Sequence, residues 1–225
     1  MRKLIIALLI LFTVPAAFNP GCVAASSVTK KIIVIDAGHG GWDPGKVGKN
    51  KELEKDINLA IAEDLQVLLE FGGAVVFLTR AGDAALGDTK NSDLKARTAM
   101  PTDMQADIFI SIHQNAYPNE KVRGAQAFYF KDSDEGKRLA QAIQKRIGSW
   151  LDTDNDKEAG ANQSYYLLKK SQTPAVIIEC GFFTNPGELK MLTEEGYQEK
   201  MAWAIYLGIL DYFKGGQDAE SDDVE

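Results

Sequence analysis

Histidine is scarce in this chain: 225 residues hold only two, His39 and His113. That excludes a histidine-rich metal array or an imidazole-cluster pH sensor, and leaves two positions whose placement can be judged singly. Cysteine is equally rare, with Cys22 and Cys180 alone, so neither a disulfide framework nor a cysteine-ligated zinc module can be built. Basic residues are outnumbered 25 to 32, for a net charge of −7, which argues against nucleic acid as a partner and leaves no general basic surface for an anionic envelope polymer. Dinucleotide spacing is absent from the glycine-rich stretch Gly38 to Gly48, and Val47 stands where a phosphate loop needs a hydroxyl residue after its lysine. No internal repeat and no linker interrupts residues 30 to 213.

The one long apolar run is Leu4 to Phe12, behind Arg2 and Lys3 and ahead of the small residues Val23-Ala24-Ala25. It is short against the roughly 20 residues of a spanning helix, so residues 1–25 read as an export signal cleaved after Ala25. Phe18-Asn19-Pro20-Gly21 lacks the aliphatic residue usual three positions before a lipidated cysteine, which disfavours lipidation of Cys22. Cleavage removes two basic residues and no acidic one, taking the net charge to −9. At the other end, residues 214–225 are polar and acidic and read as a disordered tail.

Between these ends the pattern alternates strand and helix. Residues 31–36 are a buried strand running into Gly38-His39-Gly40-Gly41. Ile57, Ile61, Leu65 and Leu68 mark an amphipathic helix over 54–69, and residues 74–80 return as a strand, completing a βαβ unit. A short helix at 93–100 with Ser92 as N-cap, interrupted by Pro101, precedes a third strand, 107–113, ending in His113. Residues 124–130 read as an edge strand, Asp134 to Trp150 as a helix, 174–180 as the last strand and Tyr197 to Phe213 as a closing helix. The expected fold is one α/β domain around a largely parallel twisted sheet flanked by helices.

In a parallel sheet the strand ends share one edge, so His39 and His113 can converge although 74 residues separate them. Glu54, at the start of its helix, can reach the same edge, with Glu52 a competitor. Two imidazoles and a carboxylate with an open fourth position form the ligand set of a hydrolytic zinc centre. Glu179 interrupts an apolar strand, and burying a carboxylate there costs several kcal/mol unless something pairs with it. That partner is either a water to be activated or a cation such as Arg97 or Arg123. Cys180 beside it should point to the opposite side of the strand, as a small buried hydrophobe rather than a nucleophile.

With these residues in order, the chain resembles the zinc-dependent N-acetylmuramoyl-L-alanine amidases. The matching stretches are Ile35-Asp36-Ala37-Gly38-His39-Gly40-Gly41 with Asp43-Pro44-Gly45, then Glu54-Lys55-Asp56-Ile57-Asn58-Leu59, Ser111-Ile112-His113-Gln114-Asn115-Ala116, and Glu179-Cys180-Gly181-Phe182-Phe183-Thr184-Asn185-Pro186. The resemblance implies a phosphorylase/hydrolase-like amidase fold, Zn2+ held by His39, Glu54 (not Glu52) and His113, and Glu179 as the catalytic residue. Ser92-Asp93-Leu94 with Arg97, Gly124 to Tyr129 and Tyr206 to Phe213 look most like the spore-cortex, germination-associated members. Those trim stem peptides from muramic acid on the way to muramic-δ-lactam, which implies an exported protein acting in the cell wall or cortex. Cys180 and Phe183 depart from the usual aliphatic residues, and Pro101 from a usual polar helix end; none is a proposed ligand. The stretch between Ser133 and Tyr165 is too short for the site-plugging helix of some relatives. Together with the missing wall-binding module, that leads to the expectation of an accessory protein for positioning or metal loading. A non-catalytic wall-binding module and a zinc carboxypeptidase are the alternative readings.

Overall fold

The computed structural model describes residues 26–222, so the expected signal segment and Cys22 lie outside the described residues. Six strands form one sheet: β1 (Ile32–Ala37), β2 (Val75–Leu78), β3 (Ile108–Asn115), β4 (Gln126–Phe130), β5 (Gly160–Asn162) and β6 (Ala175–Phe182). Their order is β2-β1-β3-β6-β4-β5, parallel throughout except where β4 runs against β6. The helices are α1 (Glu54–Phe71), α2 (Lys90–Asp103), α3 (Asp134–Arg146), α4 (Tyr166–Lys170), α5 (Pro186–Leu192) and α6 (Glu195–Asp222).

Side-chain alternation along the strands divides the molecule into two layers. Ile33, Ile35, Ile110, Ile112, Val176 and Ile178 meet the apolar faces of α1, α3 and α6 in the larger core. Each fully buried aliphatic side chain there contributes roughly 1.5–3 kcal/mol. Val34, Phe109 and Ile177 face the other way, onto Leu167, Leu168 and α2. Residues of that second parity further along the same strands are Asp36, Ser111, His113 and Glu179, so the smaller layer carries the polar positions. Cys180 lies in the larger core, on the opposite side from Glu179 as strand alternation requires.

Several elements differ from expectation. β3 continues through His113 to Asn115, and β6 through Glu179 to Phe182, because the two strands pair there, with a register shift between His113 and Asn115. β4 is interior, since β5, three residues inside a stretch with no apolar pattern, takes the edge. α2 starts earlier, on Thr89, whose hydroxyl accepts from the Ser92 N–H while the Ser92 side chain accepts from the Thr89 N–H. Pro101 lies inside its last turn, where few helical bonds remain to be lost. The third helix ends at Arg146 and continues as a π turn, Ile147–Leu151, which turns Trp150 outward. α6 runs past Phe213 into the acidic segment read as a disordered tail. Propagation adds one hydrogen bond per residue to a helix already held by packing, and Gly215-Gly216 weakens but does not stop it as proline would.

Candidate active site

The carboxyl ends of β1, β3 and β6 and the first turn of α1 meet at one point. Glu54 Oε1 lies 3.2 Å from His39 Nε2 and 3.1 Å from His113 Nδ1, and the two rings stand edge to face with centroids 4.9 Å apart. Glu52, by contrast, is turned onto the Asn50 backbone and side chain outside the site.

His39 and Glu54 are held from behind by hydrogen bonds, and the His113 ring by the close approach of Gly38. Asp43 Oδ2 sits 2.9 Å from His39 Nδ1, which directs His39 Nε2 inward. Glu54 Oε2 accepts from the Lys46 N–H, and Oε1 from the Gln114 N–H. Burial works against the Glu54 carboxylate, but hydrogen bonds from His113 and His39 outweigh it and hold Glu54 well below the usual range. Burial likewise opposes a charged His39, yet Glu54 and Asp43 raise its pKa above that of a free imidazole. The Gly38 and Gly45 backbones come so close that an added Cβ would sit 2.3 Å from the His113 ring and 2.6 Å from Glu54 Oε2.

His39 has φ +62°, a left-handed conformation that costs a residue with a side chain on the order of 1–3 kcal/mol. Two buried guanidiniums hold it there. Arg97 donates to the carbonyls of His39 (2.6 Å) and Ala37, and Arg80 donates to those of Ala37, Gly38 and Lys55. Asp36 anchors Arg97 at 2.7 Å and accepts from Thr79 and Ser111. Burial opposes its charge, but Arg97 keeps the Asp36 carboxyl below the usual range.

Glu179 is the register partner of His113, is 8% exposed, and leaves Oε2 without a hydrogen-bond partner. Its other oxygen accepts from the Tyr165 hydroxyl at 3.3 Å. Burial, reinforced by the charge of Glu54, pushes its pKa above the carboxylate range, and that of Tyr165 is pushed up to about 12 by burial and by Glu179. The salt-bridge alternative is not realised: Arg97 pairs with Asp36 and Asp93, and Arg123 with Asp152. A buried carboxyl group with one free oxygen beside a histidine–carboxylate cluster is of the kind that exchanges protons in active sites.

The three ligand-type atoms of His39, Glu54 and His113 lie within 4.8 Å of one another. Two imidazoles and one carboxylate, with the unpartnered buried oxygen of Glu179 on the strand beside His113, fit a zinc-type ion. A cleft of about 220 Å³ opens over His39, His113 and Glu179, with Lys90, Tyr165 and Tyr166 in its walls. A larger one of about 540 Å³ runs along Lys46, Tyr117, Thr184 and Lys190.

The N-acetylmuramoyl-L-alanine amidase family matches residues 33–211 of this sequence. The chain belongs to that family. Among its relatives is the germination-specific N-acetylmuramoyl-L-alanine amidase of Bacillus subtilis, 38% identical over 81% of this chain and 80% of that one. Among solved structures, the CwlD amidase of Clostridioides difficile, in complex with the GerS lipoprotein, superposes with a TM-score of 0.79 at 44% identity, over 82% of this chain and 99% of that one. The catalytic domain of CwlV from Bacillus (Paenibacillus) polymyxa gives 0.73 at 30% identity, over 82% and 98%. The amidase is therefore a hydrolase of peptidoglycan with the family's α/β catalytic fold.

Residue types and spacing brought His39, Glu54, His113 and Glu179 into view, and all four meet at one edge. Tyr165 and the role of Arg97 as a clamp were not foreseen. Tyr165 follows an aperiodic polar loop, and Arg97 is read from the sequence as a possible partner for Glu179 and as part of the family resemblance, not as a clamp on His39. In this amidase, no described helix is long and apolar enough to cross a membrane.

Proposed function

We propose that this amidase is zinc-dependent, with His39, Glu54 and His113 as ligands and Glu179 as general base and then general acid. The observation that carries the reading is Glu54 Oε1 between the two imidazoles, with the unpaired Glu179 oxygen across the register from His113. Zinc supplies a Lewis acid for the lactyl carbonyl and a lowered pKa for water when bound. Glu179 takes one proton from the attacking water, the water oxygen bonds to the lactyl carbonyl carbon, the bond to the L-alanine nitrogen breaks, and Glu179 returns the proton to that nitrogen. Tyr165 steadies the Glu179 carboxylate during this transfer.

Residues 30–213 are the catalytic domain in this reading, delivered across the cytoplasmic membrane by residues 1–25. Likeness to a germination-specific amidase supports action on the spore cortex, ahead of muramic-δ-lactam formation. The related CwlD amidase, in complex with a lipoprotein, supports an accessory protein for this chain as well.

Zinc-loaded protein incubated with purified muropeptides tests the chemistry. Stem peptides with a free L-alanine amino group and sugars with a free lactyl carboxyl are expected. Shortened peptides still joined to muramic acid would reject it. For the cortex role, spores lacking the gene should lose muramic-δ-lactam.

A further inference from the structure

One surface of the amidase is apolar where a solvent-facing helix should be polar. Asp64, Val67, Leu68 and Phe71 stand at helical i, i+3, i+4 and i+7 positions and form one stripe along α1. Val67 is 66% exposed and Phe71 91%. Beside the stripe, α6 contributes Trp203 and the π turn contributes Trp150, 38% and 46% exposed. Together Val67, Leu68 and the two indoles line a groove of about 470 Å³. Exposed tryptophans over a groove are the residue type that dominates binding energy at protein interfaces.

The rim states what kind of partner fits. Asp64 and Glu199 border the groove, with Lys200 as the cation among its lining residues. Burial and the charges of Glu199, Glu195 and Glu63 together push the Asp64 carboxyl up, a concentration of like charge that a partner cation would relieve. A second copy in a two-fold contact would set this acidic rim against itself, and an anionic polymer or lipid surface would be repelled. Asp64 lies ten residues along α1 from Glu54, about 15 Å at 1.5 Å per residue, so an occupied groove leaves the catalytic edge open.

We infer that the groove between α1 and α6 is the docking site of a protein partner that presents an aliphatic or aromatic side chain flanked by lysine or arginine. The inference rests on the reading that the amidase has an accessory protein.

Full-length tagged amidase, expressed in the cells that make it, tests this in three forms: unaltered, Trp203→Ala, and Asp64→Lys with Glu199→Lys. A fourth form carries a photo-crosslinking residue in place of Val67. None of these positions belongs to the catalytic site, so unchanged muropeptide hydrolysis certifies the fold. Expected is a copurifying protein whose yield falls roughly tenfold or more in both variants. Its cross-link to position 67 should map to an apolar segment flanked by basic residues. A protein that copurifies equally with all forms and does not cross-link at 67 overturns the docking site and leaves the accessory-partner reading standing. No copurifying protein and no cross-link overturns both. Cross-linking to a second amidase chain, or to an acidic segment, also overturns the inference.

Discussion

Glu179 stands directly across the β3–β6 register from His113, so the base and one ligand of the proposed zinc centre are fixed by the same pair of hydrogen-bonded strands. Neither residue lies on a loop. Their separation is set by strand spacing, which is why a carboxylate with an unsatisfied oxygen can be kept beside the cluster.

Holding Glu179 there costs stability. Its folded pKa is raised above its unfolded value by burial, so the folded state prefers the protonated form. The penalty is absent below the unfolded pKa of about 4.3 and grows as pH rises through the raised folded value. Glu179→Gln in zinc-free protein should therefore melt higher than the unaltered chain at pH 7, by roughly 2–4 °C per kcal/mol of penalty removed. The two melting curves should converge near pH 4. A lower melting temperature for the variant at pH 7 would contradict the burial argument.

Arg97 works in the opposite sense. It is buried between Asp36 and Asp93 and holds the strained His39 carbonyl. Arg97→Met leaves two buried carboxylates uncompensated, and should cost about 3–5 kcal/mol in urea unfolding. A loss below about 1 kcal/mol would show that the clamp is incidental.

Gly38 tests the ligand geometry without touching a ligand. Its added Cβ would occupy the space of the His113 ring. Gly38→Ala should weaken zinc binding roughly 10- to 100-fold in a chelator competition while secondary structure persists. Unchanged affinity would mean that His113 does not need its present position.

The parts of this architecture written in the sequence are those with strong local physics. Four β-branched residues before Gly38, helical spacing from Ile57 to Leu68 and a carboxylate inside an apolar strand each announce their element and its polarity. What stayed hidden depends on tertiary partners. The extension of β3 past His113 exists because β6 pairs with it, β5 is an edge strand without a pattern of its own, and Trp150 faces outward because α3 loosens into a π turn. Tyr165 touches Glu179 only because α4 packs under the sheet, and no spacing rule connects the two.

Cys180 is fully buried, and burial together with the neighbouring Glu179 charge pushes its thiol well above the usual range. It should resist thiol reagents in the native protein, react at once in denaturant, and be replaceable by alanine with hydrolysis retained. Rapid native-state labelling with loss of activity would restore a role for the thiol.

The most direct measurement pairs zinc content with muropeptide hydrolysis in the unaltered amidase and in Glu179→Gln. One zinc per chain is expected in both, with turnover in the variant reduced by about 10²–10⁴-fold. Hydrolysis retained without Glu179, or an active amidase free of zinc, would contradict the account.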